Sequence, residues 1–180
     1  MKIRRTEKGL RLFFILLFLV VFLLSAAFLP QAAFDASSGR FRVVPDVLFA
    51  LCVACGLLYD RRFIGVTSLA AGFLADIFLT PPVHLSPLLF FLGAYFAPAL
   101  FEAFSAKNAF TAALTSLPFF LLRAFVGGVY LMSRHPEASL GGIVSRILVP
   151  EFLENALAVL VLYAVVGFLL KRLKRRLFLP

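Results

Sequence analysis

Long apolar runs separated by short polar breaks set the pattern of this chain. Leu12–Leu29 is eighteen residues without a charge, too long for the apolar stretch of a signal peptide, and it predicts an uncleaved first transmembrane helix over 12–29. Pro30–Val44 reads as a loop with Ser37-Ser38-Gly39 at its centre. Pro45 suits the first turn of a second helix, 45–59, because it has no N–H to leave orphaned there. The uncharged part of that helix, Val47–Tyr59, has thirteen residues, against about 20 for a full span. It is therefore expected to start at the membrane surface with Asp46 in its first turn. Asp60-Arg61-Arg62 closes it, and a third helix follows over 63–80. A tight turn with Pro81-Pro82 leads into a fourth, 87–101, with Pro98 near its end as a kink or stop. After the polar link Glu102–Asn108 a fifth helix covers 109–132, and after the loop Ser133–Arg146 a sixth covers 148–170. The expectation is an all-α, polytopic membrane protein: one domain, residues 1–180, with six transmembrane helices.

Composition fits lipid as the solvent. The 180 residues are 62% hydrophobic, where an ordinary soluble domain is about half apolar. The net charge of +9 could suggest nucleic acid, but its distribution argues against that partner. Ten of the eighteen Lys and Arg residues lie in two terminal clusters, Met1–Arg11 and Lys171–Arg176, each abutting an apolar run. Juxtamembrane charge of this kind contacts anionic lipids and sets orientation. In a six-span topology thirteen Lys and Arg residues share the side of the two tails, and four, Arg40, Arg42, Arg134 and Arg146, take the other. Positive charge stays inside, so both termini are expected in the cytoplasm and the longest loops outside.

Depth follows from this topology. Asp76 lies thirteen residues past Phe63, about 20 Å up from the cytoplasmic face, and Arg123 lies fourteen past Ala109, about 21 Å up. The sixth helix runs the other way, so its Glu151, Glu154 and Asn155 also fall in the outer half, with Asp46 at the outer mouth of the second helix. Glu151, Glu154 and Asn155 share a helix face by spacing, and Gly65, Ser68, Gly72 and Asp76 form a small-residue stripe that permits close packing in lipid. A charge at such depth is costly alone, so the reading pairs Asp76 with Arg123. Two roles stay open for the cluster: an ion pair locking three helices, or a polar pocket open to the outside.

Other chemistry is thin. Cys52 and Cys55 sit inside an apolar run and read as small packing residues. His84 and His135 are single loop histidines without metal-spaced partners, and no phosphate loop or hydrolase motif is present. No metal or cofactor is expected.

The stretch GFLADIFLTPPVHLSPLLFFLGAY, Gly72–Tyr95, resembles the central signature of the MreD family of rod shape-determining membrane proteins. Gly72, Asp76, Pro82, Leu85 and Tyr95 fall where that family tends to carry the same residues, while His84 departs from it. Near the end, PEFLENALAVLVLY places Asn155 and Tyr163 at further family positions; Glu151 and Glu154 are less typical. The resemblance implies a non-catalytic subunit of the bacterial inner membrane. Its implied partners are an MreC-like single-span protein and, in a larger complex, MreB, RodA and the class B penicillin-binding protein that works with RodA. The family also resembles the S components of energy-coupling-factor transporters, six-helix bundles with an outward-facing ligand pocket. A substrate-binding S component is thus the alternative reading. Its docking motif, alanine-x-x-x-alanine on the first helix, is missing: Leu12–Leu29 has only Ala26 and Ala27.

Overall fold

The computed structural model describes residues 2–28, 34–35, 40–41, 46–78, 84–134, 141 and 149–178. The architecture is helical apart from one short strand pair. Among the described residues six helices run in order: α1 (Lys2–Phe28), α2 (Val47–Leu58), α3 (Arg61–Phe78), α4 (Ser86–Glu102), α5 (Ala109–Arg134) and α6 (Val149–Phe178). Between α1 and α2, Phe34–Asp35 pairs antiparallel with Arg40–Phe41. By length and composition three helices can cross a membrane: α1 through Glu7–Ala26, α5 through Ala109–Tyr130 and α6 through Phe152–Arg175. The helices α2 and α4 are equally apolar but shorter.

The molecule is built around α2. Every residue from Leu48 to Gly56 is buried, because α1, α3, α4, α5 and α6 all pack against this helix. A helix that is apolar all round is a core helix, and that is why α2 can be short. By contrast α1 and α6 each bury a narrow stripe. On α1 the stripe is Leu10, Phe14, Phe18, Phe22 and Ser25, spaced by four, four, four and three, while Leu12, Ile15, Leu16, Leu19, Leu23 and Leu24 face outward. The Phe14 ring meets Tyr59 at the end of α2, with centroids 4.7 Å apart.

Backbone contact at two glycines sets the spacing of the inner helices. A Cβ at Gly56 would lie 2.2 Å from the Ala94 carbonyl oxygen, so α2 and α4 cross there backbone to backbone. A Cβ at Gly72 would lie 2.5 Å from Pro87 Cα, which brings α3 against the first turn of α4. The small-residue stripe of α3 therefore serves the α3–α4 contact, the most extensive between any two helices.

Helix ends are fixed by short polar side chains. Asp60 Oδ1 accepts from the Arg62 N–H at 3.2 Å where α3 begins. Before α5, Asn108 Oδ1 accepts from the Thr111 N–H at 2.9 Å, and Thr111 Oγ1 accepts from the Asn108 N–H at 3.0 Å. This reciprocal pair satisfies two otherwise orphaned donors. Several boundaries differ from the expected ones: α1 starts at Lys2 and α6 ends at Phe178, so both helices carry their basic clusters as helix, while α3 takes in Arg61 and Arg62 and α5 runs on to Arg134. Lys, Arg and Glu are good helix formers, and an exposed Glu7–Arg11 pair one turn apart, at 3.7 Å, adds to α1. Pro98 does not stop α4, which continues to Glu102.

Candidate functional site

A polar node sits at the head of α2. Asp46 is not in the first turn, as its sequence position suggested, but is the N-cap: its Oδ1 accepts from the Phe49 N–H at 2.9 Å. Its other oxygen, Oδ2, forms an ion pair with Arg123 Nη2 of α5. Its own backbone N–H donates to Asn155 Oδ1 of α6 at 2.8 Å. One residue thus caps α2 and ties it to two neighbouring helices. The carboxylate also carries negative charge at a helix N-terminus, where the backbone dipole favours it.

Apolar walls flank the node. The Arg123 guanidinium lies 5.4 Å from the centroid of the Phe49 ring and 5.7 Å from that of Phe90. Those two rings stack on each other at 5.2 Å, and Phe120 meets Phe49 edge-on at 5.1 Å. The rings hold the cation in place and keep its surroundings poor in water, which strengthens the ion pair. The Asp46 and Arg123 side chains nevertheless keep 17% and 20% of their surface, so the node is open on one side. Asn155 is 1% exposed. Since only its oxygen can accept from the Asp46 N–H, its amide nitrogen is fixed on the other side, buried and without a hydrogen-bond partner among the described residues.

The expected pairing of Asp76 with Arg123 is not what forms. Asp76 lies one turn beyond Gly72 on α3, and α4 packs against both α3 and α5. Among the described residues the buried Asp76 Oδ1 has no hydrogen-bond partner. Equal depth placed Asp76 and Arg123 side by side; rotation about the bundle axis gives Arg123 to Asp46 instead. Glu154 also leaves the cluster. Asn155 turns inward and Glu154 is exposed, so the two do not share a site. Glu151 lies in the first turn of α6, its side chain outside the described residues. The aromatic walls were not foreseen, and the signal for them was Asp46 and Phe49 three residues apart at a helix start.

Of the remaining signature positions, Tyr95 and Tyr163 are packing positions. Tyr95 stacks on Phe91 at 5.3 Å beneath the Arg61 guanidinium, and Tyr163 packs edge-on against Phe101 at 5.8 Å. Leu85 is the N-cap of α4 without a side-chain cap, and His84 beside it is exposed. Pro82 lies outside the described residues. Cys52 and Cys55 are buried within α2, and no group of metal-ligating side chains occurs among the described residues.

Comparison with known proteins adds one match. No curated protein and no solved structure matches the chain. The family model described as rod shape-determining protein MreD matches residues 7–173, nearly the whole length and all six helices. The chain belongs to this MreD family of rod shape-determining membrane proteins, a structural family not known for enzymatic activity.

Proposed function

We propose that this protein is a non-catalytic subunit of the bacterial rod-shape complex in the cytoplasmic membrane. In this reading it binds an MreC-like single-span protein and helps couple MreB to RodA and its class B penicillin-binding partner. The family match over residues 7–173 carries the reading. The fold supports it in kind: among the described residues the bundle is held by apolar packing and an ion pair between helices, and it offers helix faces to a partner. Tagged protein purified in mild detergent should bring down the MreC-like protein, and its depletion should turn rod-shaped cells round. Recovery of a transporter coupling subunit with its ATPases instead would replace this function with that of an S component.

All six helices are proposed to be embedded, with both termini in the cytoplasm. Four elements gather at the tail end of the bundle: the α1 start, the α2–α3 turn, the α4–α5 link and the α6 end. Three arginines there lie over aromatic rings: Arg11 over Phe63 at 5.4 Å, Arg61 over Tyr95 at 5.6 Å and Arg172 over Phe168 at 5.0 Å. Such residues suit a surface of anionic lipid headgroups. A cysteine placed at Ser38 or Ser139 should react with an impermeant thiol reagent on intact cells, and one at Lys107 should not. Labelling at 107 would overturn the six-span arrangement.

A further inference from the structure

We propose that the exposed seam of α6 from Glu154 to Phe168 docks the transmembrane helix of a single-span partner carrying a Lys or Arg at the depth of Glu154. The inference rests on the rod-complex reading and adds to it the face and the chemistry of the contact.

The seam is Glu154, Leu157, Val161, Ala164 and Phe168, spaced by three, four, three and four. All five are exposed. That spacing is the one by which two helices pack side by side along their length. Ala164 leaves a shallow place between the larger side chains, where a second backbone can come close. The buried face of the same helix, Asn155, Val159, Val166 and Leu170, is already used by the bundle.

Glu154 makes this more than a surface for lipid. Lys171, where the basic tail begins, is seventeen residues away. That spacing is a rise of about 25 Å, within a hydrocarbon core about 30 Å thick. That places Glu154 about 5 Å inside the outer edge of the core, where an unpaired acid on an outward-facing helix surface still carries a cost, smaller than at the centre. No Lys or Arg among the described residues forms an ion pair with it. A cation from outside this chain removes the cost, and the apolar residues below Glu154 supply the remaining contact.

Charge also decides which helix can dock. Two copies of this chain share one orientation in the membrane, so a symmetric α6–α6 contact would set Glu154 against Glu154. Like charges disfavour that pairing, and a basic helix is favoured.

The experiment uses full-length protein co-expressed in cells with the MreC-like protein. A photo-crosslinking amino acid is placed at Leu157 or Val161 on the seam, or at Phe73 on the exposed face of α3. Cross-links to the partner are expected from 157 and 161 and not from 73. Glu154→Lys should reduce them about tenfold, and changing the partner's basic residue to Glu should restore them. Co-purification of the partner with cross-links only from 73 overturns the docking face while the rod-complex reading stands. Cross-links from 157 to a second copy of this chain, or only to lipid, also overturn it. A partner absent from the wild-type purification overturns the rod-complex reading and the docking with it.

Discussion

Arg123→Leu is expected to lower the thermal stability of the detergent-solubilised protein, and adding Asp46→Asn is expected to restore most of the loss. Removing the guanidinium leaves the Asp46 carboxylate without its ion-pair partner, against Phe49 at the head of α2. Breaking a buried pair costs about 3–5 kcal/mol in soluble proteins. Here both side chains keep some surface, and polar couplings measured in membranes are smaller, so a loss of about 2 kcal/mol is expected. Asparagine removes the orphaned charge while keeping the oxygen that accepts from the Phe49 N–H, so the N-cap survives. Asp46→Leu would not rescue, because it removes charge and cap together. Asp76→Asn in the Arg123→Leu background should recover nothing. Rescue by that change rather than by Asp46→Asn would mean that Arg123 is held by α3.

Gly56→Val is expected to abolish folded protein, read as loss of the monodisperse peak in size-exclusion chromatography. The added Cβ would stand 2.2 Å from a carbonyl oxygen of α4, and backbone cannot turn aside as a side chain can. The helices would have to separate along α2, against which five others pack. Overpacking costs typically about 1–3 kcal/mol where neighbours can shift, and a clash with backbone should exceed that range. Gly127→Ala provides the contrast. Among the described residues a Cβ there meets nothing within 4 Å, so the change should be tolerated and, in a helix interior, should stabilise by up to about 1 kcal/mol. A folded, monodisperse Gly56→Val protein would show that α2 and α4 do not cross at this point.

The six helices of the described residues were legible because each centres on an apolar run between polar or proline-containing breaks. Helix length was less so. Hydrophobicity reports where lipid is, and Lys2–Arg11 continues α1 through helix propensity and the Glu7–Arg11 pair. In the node, Asp46, Arg123 and Asn155 were all visible as ionisable or polar groups in apolar runs. What the sequence lacks is rotation about the bundle axis. Rise per residue gives depth, and by depth alone Asp76 and Arg123 are neighbours. Knowing that α4 packs against both of their helices requires the three-dimensional arrangement. An Asp at 46, directly ahead of the apolar run Val47–Tyr59, was a capping signal available from the start, and it outweighs the depth argument because an N-cap fixes where the carboxylate points.

The twelve residues of α2 carry a consequence for biogenesis. They rise about 18 Å, well short of the roughly 30 Å of hydrocarbon. The helix has almost no surface of its own to offer lipid, and the polar groups at its head depend on residues synthesised later, Arg123 and Asn155. In the six-span arrangement proposed above, α2 is therefore expected to settle into the bilayer only once α5 and α6 are in place, which would make the innermost helix among the last to be fixed.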